Sequence, residues 1–298
     1  MEVYLDYQST DTRKIYDLRN FRVPGAMLLG HYKYQEAGEV LERHQHPDMF
    51  EICYLEKGRQ IYEIESVEYS LKGGDLLLTK PNQIHGTSNY PESIGSLYWL
   101  ILKSPTGNKP LLGLEQEDSE KLYLGLMNAP HVRFPGNQRI QQNFRRLETQ
   151  CKLAPHPLQG LHIKNCILSI LLEVVTSSRI KNDQKLPADI ARVMAYIQEN
   201  IEEPLTIDEL SEITGLSQSR FKHKFRQHIG SSPIDYINRQ KIEKAKEMVL
   251  TTDSMKDIGY LLGYSSPAYF SHVFKKYTRM TPLQYKKKVN AKDNSPTA

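Results

Sequence analysis

The residues with the most evident chemistry stand near the front of the chain. Gly38 is followed by His44, His46, Glu51 and Gly58, and His85 comes further on. Residues two apart on a strand point to one side, so His44 and His46 face the same way. Glu51 and His85 converge on them if this segment folds as a barrel of strands. Imidazoles with a carboxylate form a donor set for Fe(II), Mn(II), Zn(II) or Ni(II) with positions left open. The same groups can hydrogen-bond an organic molecule, or serve only as hydrogen-bonded core. All three uses fit the spacing. Tyr54, Tyr62 and Trp99 add aromatic faces that suit a sugar-like ring and equally suit a core or an interface.

A second set lies in the last third of the chain. Leu210, Gly215, Phe221, Phe225, Gly230, Pro233 and Tyr236 reappear as Ile258, Gly263, Phe270, Phe274, Arg279, Pro282 and Tyr285. Each copy reads as a short helix, a glycine turn and a second helix. Thr206 and Ser217 are N-cap residues in the first copy, and Ser254 in the second. The apolar positions hold the second helices inward. Their other faces carry Gln218, Ser219, Lys222, His223 and Arg226 in one copy, and Ser266, Pro267, Ala268, Ser271, His272, Lys275 and Lys276 in the other. A helix of this kind fits the DNA major groove, where its first residues reach base edges and its lysines grip phosphates. Charge agrees. Residues 1–186 carry 22 Lys+Arg against 22 Asp+Glu, while residues 220–298 carry 16 against 6. Such asymmetry points to a nucleic-acid-binding rear part.

The elements that must position these groups differ in kind. Glu51–Leu55, Arg59–Glu65, Glu68–Leu71, Asp75–Thr79 and Ser96–Lys103 read as short strands between turn signals, with no helical period before about residue 135. Ile140, Phe144, Leu147 and Cys151 then recur at helical spacing, and a further apolar helix follows from about 158 to 177. Residues 179–186 are polar and read as a linker. Ile190, Val193, Met194, Ile197 and Ile201 mark another helix. One starting at Pro233, with Ile234, Ile237, Ala245 and Val249 on one face, bridges the repeated copies. At 298 residues, with 39% hydrophobic and 25% charged residues, a mostly disordered chain is excluded. The apolar runs fall short of a bilayer span, Met1-Glu2-Val3-Tyr4 does not read as a signal peptide, and three scattered cysteines suit a reducing cytoplasm.

Two resemblances follow from these residues. The stretch Lys241-Ile242-Glu243-Lys244-Ala245-Lys246, Asp257-Ile258-Gly259, Gly263-Tyr264-Ser265-Ser266, Tyr269 through Lys276 and Met280 through Tyr285 resembles the AraC/XylS family of bacterial transcription regulators. Gly259 stands where that family usually has alanine, and Arg279 where it usually has glycine. The spacing of Gly38, His44, His46, Glu51 and Gly58 resembles the first cupin motif. Gly74, Pro81, His85 and Asn89 resemble the second imperfectly, with His85 one residue too close to Pro81. These resemblances imply an α+β chain: an N-terminal cupin-like β-barrel, then helices, then an all-α DNA-binding domain with two helix-turn-helix modules.

The implied division is an effector-sensing domain over 1–136, a dimerisation and relay segment over 137–178, a linker over 179–186 and a DNA-binding domain over 187–290. The modules fall at 206–228 and 254–277. The implied partners are double-stranded DNA, a small-molecule effector, RNA polymerase and a second copy of the chain, with no membrane. The base-reading residues are then Ser219, Lys222 and His223 with Pro267, Ala268, Ser271 and His272. Arg226, Lys275 and Lys276 sit on phosphates. The effector candidates are His44, His46, Glu51, Tyr54, Tyr62, His85 and Trp99. The implied activity is regulation without catalysis or an obligatory cofactor. The alternative is a metal-dependent cupin enzyme or metal sensor joined to a DNA-binding domain, its divalent ion held by His44, His46, Glu51 and His85.

Overall fold

The computed structural model describes residues 5–88, 90–106, 109–180, 186–252 and 254–293. Asn89 and most of the expected linker (181–185) lie outside them. The chain forms two compact units. One holds the strands and the helices up to Ser177; the other holds the helices from Ala188 onward, with Gln35–Gly38 grouped with it.

Alternating side chains build the first unit. Its strands are β1 (Arg13–Asp17), β2 (Ala26–Tyr34), β3 (Met49–Ile64), β4 (Val67–Lys72), β5 (Asp75–Thr79), β6 (His85–Gly86), β7 (Gly95–Lys103) and β8 (Arg133–Pro135). The main sheet runs β1-β2-β7-β3-β5-β8, and β4 and β6 pair with the far half of β3. The hydrogen-bonded path is open rather than a ring. The inner faces of the strands enclose one apolar cluster that includes Leu28, Cys53, Leu55, Tyr62, Ile64, Leu97, Trp99 and Ile101.

One strand stands where the sequence suggests two. β3 runs 16 residues straight through Lys57-Gly58, and its register against β7 shifts between Leu55 and Lys57. Gly58 marks a bulge, not a turn. Its φ is +102°, and a Cβ there would lie 2.5 Å from the Ile94 carbonyl oxygen. The bulge reverses which residues point inward: Cys53 and Leu55 before it, Tyr62 and Ile64 after it.

The outer face of the sheet is covered by α1 (Gln116–Met127), α2 (Gln138–Lys152) and α3 (Gln159–Ser177). α1 contradicts the expectation of no helix before residue 135. Its buried residues are Ser119, Leu122, Gly125 and Leu126, so small residues hide the helical period. α3 is long and apolar enough to cross a membrane by length and composition. Its Ile163, Ile167, Ile170, Leu171 and Val174 instead fill the core against the sheet.

A buried carboxylate ties α2 to the strands. Glu148 accepts hydrogen bonds from Tyr98 Oη at 3.0 Å and Tyr16 Oη at 3.3 Å, and pairs with His31 Nδ1 at 3.1 Å and Lys152 Nζ at 2.8 Å. Beside it, Glu56 accepts from Ser96 Oγ and from Arg145 of α2.

The second unit comprises α4 (Ala188–Glu199), α5 (Ile207–Thr214), α6 (Gln218–Ile229), α7 (Pro233–Thr251), α8 (Met255–Leu261), α9 (Pro267–Thr278) and α10 (Pro282–Asp293). Thr206 and Glu209 form a capping box on α5, and Gly215 takes the turn at φ +67°. Ser217 occupies the N-cap of α6 but makes no side-chain capping bond, unlike Ser254 and Ser266. Phe221 and Phe225 anchor one small core, and Phe270 and Phe274 anchor another. α7 lies along both. Ile234 is 56% exposed, unlike Ile237, Ala245 and Val249 of the same face, because Pro233 and Tyr236 fill that end of the helix. Gly259 lets α8 approach α9 closely: a Cβ there would lie 3.1 Å from Phe270 Cβ. Arg279 takes the left-handed cap of α9 at φ +64°.

Glu148 makes stability depend on pH. Burial opposes its charge, but hydrogen bonds from His31 and Lys152 outweigh burial and hold its pKa below the ordinary carboxylate value. A depressed pKa contributes stability at neutral pH that is lost as pH falls through the acid range. Glu148→Gln therefore destabilises the chain by about 1–3 kcal/mol at pH 7. In thermal unfolding, the gap between wild type and variant narrows as pH falls below about 4.5.

Candidate effector pocket and nucleic-acid interface

The inner face of the strand unit encloses a cavity of about 350 Å³. Leu28, Leu97, Trp99 and Ile101 form an apolar wall, and Tyr62 lines it too. His44, His46 and Glu51 form a polar pole, and Arg13, Arg43, Asp6, Glu42 and Glu92 bring charge to the lining. Arg13 pairs with Asp6 and lies 4.8 Å over the Trp99 ring, while its Nε is buried without a partner. Burial pushes the Glu92 carboxyl above its ordinary pKa.

Pairing brings the histidines together. The backbones of His44 and His85 form an isolated bridge, with N–H···O distances of 2.9 and 2.8 Å. Glu51 Oε2 then stands 2.7 Å from His85 Nε2 and 3.3 Å from His46 Nε2. Each ring has its own surroundings. His44 Nδ1 donates to the Glu42 carbonyl at 2.8 Å, leaving Nε2 as the lone-pair side of the neutral ring. His85 Nδ1 donates to the Gln83 carbonyl at 2.9 Å while Nε2 faces the carboxylate, so both nitrogens carry protons. His46 Nδ1 is buried without a hydrogen-bond partner.

The charges follow the same arrangement. Burial opposes the Glu51 carboxylate, yet hydrogen bonds from His46 and His85 hold its pKa well below the usual range. Burial also opposes a charged His85, but the hydrogen bond and charge of Glu51 raise its pKa. Burial and the charge of His85 lower that of His44. The donor atoms of His44, His46, Glu51 and His85 all lie within 4.8 Å of one another, a set that fits a divalent cation. His85 would then exchange its Nε2 proton for the ion.

Of the expected effector residues, His85 stands behind Glu51 and does not line the cavity, and neither does Tyr54. Tyr54 packs on the outer face of β3, stacked on Phe144 of α2 at 5.6 Å. Strand alternation sends Glu51 inward and Tyr54 outward, and only the later bulge returns Tyr62 to the interior. Gly30 is a wall residue that the sequence reading misses. It pairs with Trp99 across β2 and β7, and a Cβ at this position would fall 2.0 Å from the indole carbons. The neighbouring residues on the outer face, His31 and Tyr98, stack at 3.7 Å and reach Glu148 of α2.

In the helical unit, Gln218, Ser219, Lys222, His223 and Arg226 are exposed on α6. On α9, Ala268, His272 and Lys275 are exposed, and Pro267, Ser271 and Lys276 are half-buried. Two expected residues already have partners. The Gln218 amide binds Asp208 of α5, and Ser266 Oγ accepts from the Tyr269 N–H at 3.1 Å. Arg220 and Tyr269 are exposed near the starts of the same helices and were not singled out from the sequence. Their place in the first turn was the available signal. Lys224 is turned away, held by Asp189 of α4 at 2.7 Å.

Comparison with known proteins agrees with both halves. Residues 30–151 match the family described as AraC-like ligand binding domain, and residues 210–288 match the helix-turn-helix domain family. The chain is 26% identical over 261 residues to the uncharacterized HTH-type transcriptional regulator YisR of Bacillus subtilis, covering 82% of this chain and 88% of that one. It is 25% identical over 248 residues to the HTH-type transcriptional activator RhaS of Enterobacter sp., covering 80% and 85%. Among solved structures, the C-terminal domain of AraT, a response regulator from Geobacillus stearothermophilus, is 29% identical. It covers 35% of this chain and 88% of its own, with a TM-score of 0.34. By these matches the chain carries an AraC-like ligand binding domain ahead of a helix-turn-helix domain, and it is similar over most of its length to HTH-type transcriptional regulators.

Gly30→Ala tests the wall directly. Trp99 is the single tryptophan of the chain and is 7% exposed. The variant must displace its ring, so intrinsic fluorescence moves to longer wavelength while the helical circular dichroism of the other unit is unchanged. An unchanged emission spectrum would contradict the packing described.

Proposed function

We propose that this chain is a cytoplasmic, effector-controlled activator of transcription. A small organic molecule with a hydroxyl-rich, sugar-like edge occupies the cavity. His44, His46 and Glu51 hydrogen-bond that edge while His85 holds Glu51 from behind, and Trp99 and Tyr62 take its flatter face. The observation that carries this reading is the division of the cavity into a buried polar pole and an apolar aromatic wall. The wall also offers a route outward. The strands bearing Gly30 and Trp99 present His31 and Tyr98 to α2 through Glu148, so a shift in the wall reaches the helices. α2 and α3 relay that shift and join two copies of the chain. Leu161 and Leu172, 64% and 54% exposed on α3, support such an interface.

In each copy the two modules face duplex DNA. Ser219, Lys222, His223, Pro267, Ala268, Ser271 and His272 are the base-reading candidates, with Arg226, Lys275 and Lys276 on phosphates. Gln218 and Ser266 support the helix starts. The effector must favour one presentation of the modules over another, because equal affinity for both shifts nothing. Recruitment of RNA polymerase follows from the activator role, which the name of the RhaS relative supports.

The donor geometry favours a second reading, a divalent ion at the polar pole. His44, His46, Glu51 and His85 would hold it, and the ion would supply a Lewis-acid contact to a bound oxygen. Elemental analysis of untagged protein purified without chelators separates the readings, with His44→Ala as control. The organic-effector reading expects no stoichiometric metal in the wild type. It also expects a sugar or related metabolite that changes Trp99 fluorescence in the wild type and not in His44→Ala. A stoichiometric metal lost in the variant would replace it with the metal reading.

A further inference from the structure

A buried lysine stands between the two helix-turn-helix modules. Lys241, in the middle of α7, is 4% exposed. Its Nζ donates to the Glu203 carbonyl at 2.8 Å and to the Leu262 carbonyl at 2.7 Å, and lies 5.6 Å from the centre of the Tyr264 ring. Glu203 belongs to the turn between α4 and α5, whose Ile201 and Leu205 pack into the core of the first module. Leu262 caps α8, in the second. One ammonium group therefore holds backbone from both.

The junction is tight around it. Gly263 has φ +66°, and a Cβ there would lie 2.8 Å from the Glu202 carbonyl oxygen and 2.9 Å from Pro204 N. At its edge Lys244 pairs with Glu202. Apolar residues would pack in this interior without the cost of burying a charge, which is offset only by hydrogen bonding. The lysine also suits the terminal carbonyls of a helix, where positive charge is favourable. A Leu or Met would fill the space but would leave the two carbonyls untethered.

We propose that Lys241 is a positioning residue: by clamping the Glu203 and Leu262 carbonyls it fixes the separation of α6 and α9, and so the spacing of the two DNA segments they read. The proposal rests on both modules binding DNA. Successive base pairs differ by about 3.4 Å along the duplex and about a tenth of a turn, so a small slip between modules changes the preferred spacing. Lys241 touches no DNA in this account. It sets where the reading helices stand.

The test uses the full chain and a random-sequence duplex library. Wild type, Lys241→Met and Lys241→Gln are each taken through repeated binding and sequencing, after circular dichroism and melting have established folding. Wild type is expected to select two submotifs at one spacing. Inserting one base pair between them should weaken its binding about tenfold, the loss typical of a mismatched position. Lys241→Met should select the same submotifs over two or more spacings, with less than about a threefold loss on insertion. Lys241→Gln keeps one amide donor for one carbonyl and should fall between.

A variant that folds and keeps the single wild-type spacing overturns the proposal. If neither variant folds, Lys241 is an element of stability, and the positioning role is also overturned. A wild type that selects no sequence overturns the DNA-reading account itself. One that selects a single submotif overturns the two-module reading, and the proposal with it.

Discussion

Neighbouring residues on a strand must face opposite ways, and the sensing half of this protein depends on that constraint. β2, β3 and β7 each have a cavity face and a helix face. Gly30, Glu51 and Trp99 look inward; His31, Tyr54 and Tyr98 look outward to α2 or its neighbours. No intervening layer separates ligand-facing from helix-facing groups. A change in the wall is therefore a change in what α2 packs against. The bulge in β3 extends the pattern by turning Tyr62 back to the cavity after the alternation has reversed.

Two of the buried carboxylates in this unit stand on opposite sides of one layer of strands. Inside, Glu51 is held by His46 and His85. Outside, Glu148 is held by His31, Tyr98 and Lys152. Burying a carboxylate is costly unless it is paired and hydrogen-bonded, and each of these has several partners. The inner group keeps unspent hydrogen-bonding capacity at His44 Nε2 and His46 Nδ1. The outer group has its capacity committed, which suits a joint between sheet and helix.

Much of this was legible in the sequence where local signals agree. The helix-turn-helix copies show themselves by capping residues, turn glycines and paired phenylalanines, all read within a dozen residues. The histidine cluster shows itself because His44, His46 and Glu51 are close in sequence. What depended on tertiary packing was hidden. Tyr54 and Tyr62 look alike until the bulge between them is known. β2 is apolar on both faces and shows no alternation, and α1 hides its period behind Ser119 and Gly125. Nothing local sets Lys241 apart from the other lysines of its helix, because the two carbonyls that converge on it come from distant turns. Ile234 errs the other way: an apolar residue at the start of a helix with no core above it.

In the proposed function, occupancy of the cavity and binding of DNA are coupled. Linkage makes that claim measurable, because each ligand must change the affinity of the other by the same factor. The most direct measurement is the affinity for a selected duplex with and without a saturating compound that changes Trp99 emission, paired with the affinity for that compound with and without duplex. Coupling requires equal factors, of about 5–150, in the two directions. A compound that fills the cavity and leaves duplex affinity unchanged, with transcription from the same duplex also unchanged, would contradict it.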